Sequence, residues 1–345
     1  MKKFAFICSV FCLAWSSGLQ AQTSFFQGKT MTIVVGTKAG DAYDLYARLL
    51  AQYMPKYIPG NPNIIVQNMT GAGSMIAANF VYGVAKPDGM TLGAIFPALY
   101  FDQLTGRSEV KYDWKKFAWI GSTVASNSLL YMRADTPYKT MEDVRNASEP
   151  PKCGSTGTGV SAYYLPKLLE EVIGTKFNIV LGYQAGADID LAVERGEVQC
   201  RAFTITAFFA REPFTTWRKK GFVRVLLQTG KKRDDRLPDV PTIYQFMDKY
   251  KTPEAGRRLA TVVLAGGDIG RPIVAPPGLP AEKQTILREA FTKSVQDPQF
   301  LEEAKKRRLE MDPANGEELE QLAKEVIDQP PEVVERMKKL LGDGK

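Results

Sequence analysis

Three stretches of the chain place glycines and small hydroxyl residues directly after an apolar run and directly before a helical pattern. The first is Gly36-Thr37-Lys38-Ala39-Gly40-Asp41, with Tyr43 and Asp44 just behind it; the second is Gly71-Ala72-Gly73-Ser74; the third is Ser155-Thr156-Gly157-Thr158-Gly159, with Ser161 following. Tyr183, Gly186, Ala187 and Asp188 form a fourth loop in an equivalent position. Glycine lets a ligand approach the main chain closely, and the first N–H groups of a helix have no intrahelical acceptor and attract negative charge. The chemistry expected of these loops is therefore anion binding by main-chain donors.

The elements around the loops repeat one plan. The β-branched run Met31 to Val35 suits a buried parallel strand, and Asp41 is a plausible cap for a helix in which Leu45, Leu49 and Leu50, with Tyr46 and Tyr53, share one face until Pro55 closes it. Ile64-Ile65-Val66 leads through the second loop into an Ala-rich helix over about residues 75–84, and Lys86-Pro87-Asp88-Gly89 turns the chain into a strand at 91–95. Both loops fall at the carboxyl ends of strands, where open α/β sheets bind ligands. A strand pair is expected around 119–122 and 129–132, after which a second series of βα units begins. In it, a strand at 151–155 precedes the third loop and a helix with Leu165, Leu168, Leu169 and Val172 on one face. Further strands are expected at 177–183, 198–203 and 222–228, with a helix at 188–195 ended by Gly196. The polar runs 123–127 and 229–239 are the candidate crossings between two domains, so the chain leaves the first, builds the second and returns. Beyond Pro280 the pattern is helical, with starts at Asp297-Pro298 and Asn315 and an end at Gly342.

Composition excludes several functions. The chain has 345 residues, 44% hydrophobic and 24% charged, the balance of a globular protein with ample core. Lys2 and Lys3, the apolar run Phe4 to Trp15 and the small residues up to Ala21 have the three parts of a secretory signal, cleaved after Ala21. The run is too short to span a bilayer, and Phe11 before Cys12 argues against a lipidated cysteine. Histidine is absent, which removes the usual general base, the usual triads and the commonest zinc ligand, so neither an enzyme nor a metal or cofactor site is expected. The formal charge of +7, reduced by two with Lys2 and Lys3, is modest. The basic runs at 231–233 and 305–308 are flanked by acids, so they read as a solvated face and not a nucleic-acid groove. Gly157-Thr158-Gly159-Val160-Ser161-Ala162 fits a dinucleotide fingerprint, but the next strand lacks the acidic residue that would hold a ribose. Cys153 and Cys200 remain after export; both fall on predicted strands and are expected as two buried thiols, a disulfide being the alternative.

The order of these motifs resembles one family. Ile33-Val34-Val35 before a loop with glycine and Asp44, Asn68-x-x-Gly71-Ala72-Gly73, Pro87-Asp88-Gly89-x-Thr91-Leu92, Gly154-Ser155-x-Gly157-x-Gly159, Tyr183-x-x-Gly186 and Leu237-Pro238-Asp239-Val240-Pro241-Thr242 are similar to the substrate-binding proteins of tripartite tricarboxylate transporters, the Bug family. The resemblance implies an α/β fold of the periplasmic-binding-protein-like type II class, with two lobes joined by two hinge crossings: residues 22–124 with 229–345, and 125–228. It also implies a monomer in the periplasm that closes on a small organic acid and delivers it to the large and small membrane subunits of a transporter. The loops at 36–44 and 71–74 would hold a carboxylate from one lobe, and those at 155–161 and 184–188 from the other. A receptor for a membrane sensor is the alternative partner role, and an exported enzyme the alternative class. The chain departs from the family in carrying Ala39-Gly40-Asp41 for Pro-Gly-Gly, Met69-Thr70 for Arg-Pro, and Tyr163-Tyr164 near the place of a histidine. Lys38 is a candidate for direct contact with an acid, and Tyr43, Tyr164 and Tyr183 for stacking on an aromatic one.

Overall fold

The computed structural model describes residues 25–157 and 160–341. The expected signal segment, Thr158 and Gly159 of the third loop, and Gly342 lie outside the described residues. In chain order the elements are β1 (Thr30–Val35), α1 (Ala42–Tyr53), β2 (Asn63–Asn68), α2 (Met75–Gly83), β3 (Thr91–Ala94), α3 (Leu99–Leu104) and β4 (Ala118–Ser122). Then come β5 (Ser128–Arg133), α4 (Met141–Arg145), β6 (Lys152–Gly154), α5 (Ser161–Ile173), β7 (Asn178–Val180), α6 (Gly186–Arg195), β8 (Cys200–Thr204), α7 (Ile205–Ala210), α8 (Phe214–Lys220) and β9 (Val223–Gln228). The chain ends with α9 (Ile243–Lys249), α10 (Glu254–Ile269), β10 (Pro272–Ala275), α11 (Ala281–Val295), α12 (Pro298–Lys306), β11 (Ala314–Asn315), α13 (Gly316–Ile327) and α14 (Pro331–Leu341).

These strands form two mixed sheets, ordered β11-β4-β10-β3-β1-β2 and β7-β6-β8-β5-β9. In each sheet three parallel strands, β2-β1-β3 or β7-β6-β8, are followed by one antiparallel strand, β10 or β5. Each antiparallel strand is the first one laid down after the chain changes sheets. The expected pairing of 119–122 with 129–132 is therefore corrected: β4 and β5 belong to different sheets. The five residues between them cross from one sheet to the other, and no turn fit for a hairpin joins the two strands.

Helices cover both faces of the first sheet. Ala47, Leu49 and Leu50 of α1 pack with Phe291 of α11 and Phe300 of α12 on one face. On the other, α2, α3, α10 and α13 enter an apolar cluster that continues into the second sheet through Leu130, Met132 and the α5 residues Leu165, Leu168 and Leu169. α10 carries the return. Near its start the Thr252 hydroxyl donates to Val172 O (2.5 Å), and at its middle Val262 O accepts from Tyr100 OH (2.6 Å).

Cys153 and Cys200 form a disulfide, which corrects the expectation of two thiols. The cause is register. β6 and β8 are parallel neighbours whose bridging pair is Cys153 opposite Cys200, with Cα atoms 4.5 Å apart, inside the span a disulfide needs.

Candidate functional site

The first loop is built from beneath. Asp44 is buried, and its carboxylate accepts from Gly40 N (2.8 Å), Asn68 Nδ2 (2.9 Å) and Arg48 Nε (2.8 Å). Burial pushes its pKa up, but the hydrogen bonds from Arg48, Gly40 and Asn68 more than offset this and hold the carboxyl below the usual range. Asn68, at the end of β2, also donates to Thr37 O (2.9 Å), so one carboxylate and one amide fix both ends of the turn. Asp41 caps α1 by accepting from Tyr43 N (3.1 Å). Asp44 therefore lies under the loop and shapes it, and Lys38 stands exposed at its tip without an ion pair among the described residues. The main-chain N–H groups of Thr37, Lys38 and Ala39 meet no acceptor among the described residues.

The second loop is held in strained backbone. Gly71, Ala72, Gly73 and Ser74 all have positive φ, at 129°, 45°, 60° and 75°. Ala72 and Ser74 carry Cβ atoms there, a conformation that costs on the order of 1–2 kcal/mol each and is found where function requires it. The buried Ser74 hydroxyl compensates in part by accepting from Phe96 N (3.2 Å). Ser74 also sits against Gly36, where an added Cβ would lie 1.8 Å from Ser74 Oγ. Loops one and two thus interlock through a position that only glycine fits.

In the second sheet the Ser155 hydroxyl donates to Gly157 O (2.8 Å), and the Tyr183 ring packs over Gly154. Thr156 and Ser161 are half-buried at the mouth of this loop, and Ala187 is exposed. Asp188 uses its carboxylate to accept from Ala185 N (2.9 Å) at the start of α6. Gly186 leaves room for the Arg201 guanidinium, which donates to Gly186 O (3.1 Å) and pairs with Asp190 at 2.6 Å, so this buried charge is neutralised within the lobe. Of the three tyrosines expected to stack on a ligand, Tyr164 is packed against the apolar cluster, and Tyr43 lies with its ring 4.8 Å from Phe96. Tyr183 remains half-buried beside the third loop.

Across the sheets the structure brings the loops together unevenly. The first and second loops touch each other, and so do the third and fourth. No hydrogen bond or ion pair among the described residues joins one pair to the other. The lobes are tied beside the crossings instead, where Glu310 accepts from Thr206 Oγ1 (2.8 Å) and pairs with Arg236 (2.7 Å). A cavity of about 790 Å³ lies at these crossings, lined by Asn127, Lys231, Asp268, Glu310 and Asp312 among others and by none of the loop residues. Its lining carries six carboxylates, Asp234, Asp235, Asp268, Glu310, Asp312 and Glu318, against four basic side chains, which does not favour an anion, so the loops are the stronger candidate.

Two residues that the sequence reading passed over belong to the site. Val35 is level with Ala94, and Ala94 with Ile273. Two residues beyond the sheet, this register brings Thr37, Phe96 and Arg271 into one row, and the β10–β4 pairing adds Thr123. Thr37 Oγ1, Thr123 Oγ1 and Arg271 Nε are all buried without a hydrogen-bond partner. Buried polar groups are nearly always satisfied, and three exceptions in one row at the carboxyl end of the first sheet's parallel strands make it a candidate polar surface. No local motif announces either residue, because β10 reaches this row only through long-range pairing.

Two mixed α/β sheets with helices, each carrying glycine loops at the carboxyl ends of its parallel strands, have the architecture of a periplasmic-binding-protein-like fold. The profile of the tripartite tricarboxylate transporter family receptor matches residues 46–339, and the chain belongs to this family. It is 26% identical over 323 residues to a UPF0065 protein of Cupriavidus necator, covering 92% of this chain and 90% of that one. A ligand-free solute-binding protein of the same family from Polaromonas is similar in fold, with a TM-score of 0.71 at 20% identity over 91% of this chain and 98% of that one. MatC of Rhodopseudomonas palustris, solved with malate bound, gives a TM-score of 0.51 at 21% identity over 92% and 100% of the two chains. Among the described residues no helix is long and apolar enough to cross a membrane.

Proposed function

We propose that this receptor captures a small organic acid between its lobes and delivers it to the large and small membrane subunits of a tripartite transporter. Residues 22–124 with 229–345 form one lobe and 125–228 the other, counted by the sheet each serves. The protein acts in the periplasm after removal of residues 1–21, as a monomer, and releases its ligand unchanged. The observation that carries this reading is the interlocked pair of loops in the first lobe, with unpaired N–H groups at Thr37, Lys38, Ala39, Thr70 and Gly71 and the unpaired, 7% exposed Thr37 hydroxyl. Donors with no acceptor of their own, in loops that lead into helices, suit a carboxylate. The acid bound by MatC agrees with this class. Thr156, Gly157, Ser161, Tyr183 and Gly186 contribute from the second lobe on closure, which excludes water and strengthens each hydrogen bond.

The test is a thermal-shift screen of the mature protein, unfolded and refolded to strip carried-over compounds, against mono-, di- and tricarboxylates and their neutral amides. An acid at 100 times its Kd adds about 2.7 kcal/mol of stability, a shift easily seen. Shifts confined to acids are expected; none with any acid would remove the reading. Delivery is checked separately by loss of uptake of that acid on deletion of the gene, since a receptor serving only a sensor would leave uptake intact.

A further inference from the structure

We infer that Arg271 is a direct charge-pairing anchor for the acid, an inference that rests on the acid-binding reading above and extends it to the basis of selectivity. Three observations converge on this residue. First, β10 runs antiparallel to β3, so its amino end lies at the carboxyl ends of β1, β2 and β3, and the register sets Arg271 level with Thr37 and Phe96. Second, its main chain is fixed at the crossing: Arg271 N donates to Val124 O (3.1 Å) and Ser122 Oγ (3.0 Å). Third, its side chain is held but not neutralised. The guanidinium lies 5.6 Å from the Tyr43 ring centre and 5.0 Å from that of Tyr46. It has no hydrogen bond or ion pair to any described residue, and Nε is buried. Arg201, the buried cation of the second lobe on β8, is paired with Asp190 at 2.6 Å and is spent.

A half-buried guanidinium without an anion is costly to keep, and aromatic faces compensate only in part. The planar fork matches a carboxylate bidentately, and the two tyrosine rings fix its plane in advance. In the same row the hydroxyls of Thr123, at the end of the neighbouring strand, and of Thr37, two strands away beyond Phe96, have their own bonding capacity unused. The surface is thus composed of donors, one of them charged. It selects an ionised acid over the amide of the same shape, because the amide brings a donor where only acceptors are wanted and cancels no charge.

The experiment measures binding of malate, succinate, adipate and benzoate, and of malamide, succinamide, adipamide and benzamide, by titration calorimetry to the wild type and to Arg271→Gln and Arg271→Lys. For the acid that binds, Arg271→Gln is expected to lower affinity about ten- to a hundredfold and to collapse the preference for acid over amide. Arg271→Lys should lie between, with charge kept and the fork lost. An arginine-selective reagent adds a readout that needs no variant: in the wild type the acid, but not its amide, should protect Arg271 from modification mapped by mass spectrometry. Equal preference for acid over amide in the wild type and Arg271→Gln would overturn the inference while leaving the acid-binding reading intact, as would unchanged modification of Arg271 in saturating acid. Failure of the wild type to bind any acid would overturn both.

Discussion

Replacing Asp44 by alanine tests how the first loop is built. The carboxylate is 1% exposed and accepts three hydrogen bonds. Two come from Gly40 N–H and from Asn68 Nδ2, which also donates to Thr37 O, and each bond to a buried charge is worth about 1.5–3 kcal/mol. The third comes from Arg48, whose side chain is 46% exposed, so that pair contributes about 1 kcal/mol or less. Because the three share one carboxylate they do not add fully, and Asp44→Ala should cost about 3–5 kcal/mol. Arg48→Ala should cost about 1 kcal/mol at most. Urea unfolding followed by the fluorescence of the buried Trp114 and Trp119, which lie in the same lobe, reads both values. Since the folded pKa of Asp44 is depressed, its contribution is present above the unfolded value of about 3.9 and is lost as pH falls through the folded one. The gap between wild type and Asp44→Ala should therefore narrow on acidification. A cost below about 1 kcal/mol at pH 7, with acid affinity unchanged, would refute the account of the loop.

Gly36→Ala should disrupt the interlock of the first two loops, because the new Cβ would lie 2.6 Å from Ser74 Cβ and 3.1 Å from Ser74 Cα; a loss of about 1–3 kcal/mol and of acid binding is expected by the same assays. Asp268 behaves oppositely to Asp44: burial raises its pKa to about 6, so its penalty is absent below about pH 4, grows as pH rises toward 6 and is complete above it. Asp268→Asn should therefore raise Tm at pH 8 and leave it unchanged at pH 4, and an equal effect at both would exclude titration as the cause. Removing the Cys153–Cys200 disulfide, which closes a loop of 47 residues, should cost up to about 4 kcal/mol. A thiol assay in denaturant should find free thiols only after reduction.

The local units were open to reading from the sequence because their signals are local. The β-branched run of β1, the Asp41 cap, the Asp297-Pro298 start of α12, the Asn315 cap of α13 and the αL glycine after α6 all stand where residue types place them. Pairing was not open in the same way. β10 is four residues long and is inserted between β3 and β4 from the far end of the chain. Nothing near Pro272 shows that Arg271 arrives level with Thr37, with Phe96 between them. The role of Asp44 was hidden for a related reason. An acidic residue just after a glycine loop reads alike whether it faces ligand or the loop itself, and Asn68, which decides the matter, is 24 positions away. The cysteines were misread because strand assignment alone does not say which residues stand opposite each other.

The apolar cluster that runs unbroken from α2 through α10 to α5 limits how far the molecule can gape. α14 adds to it, packing on both α10 and α5 and pairing Arg336 with Glu171 at 2.6 Å. A wide swing of the second sheet would draw Leu165, Leu168 and Leu169 off their neighbours into water, at about 1.5–3 kcal/mol for each side chain fully uncovered. Under the proposed function, entry and exit of solute therefore use a narrow rotation in which the packed helices slide while staying in contact. A ligand shifts such an equilibrium only by its differential affinity for the two ends, so under the proposed function the hydrogen bonds to the anion must be stronger in one of them.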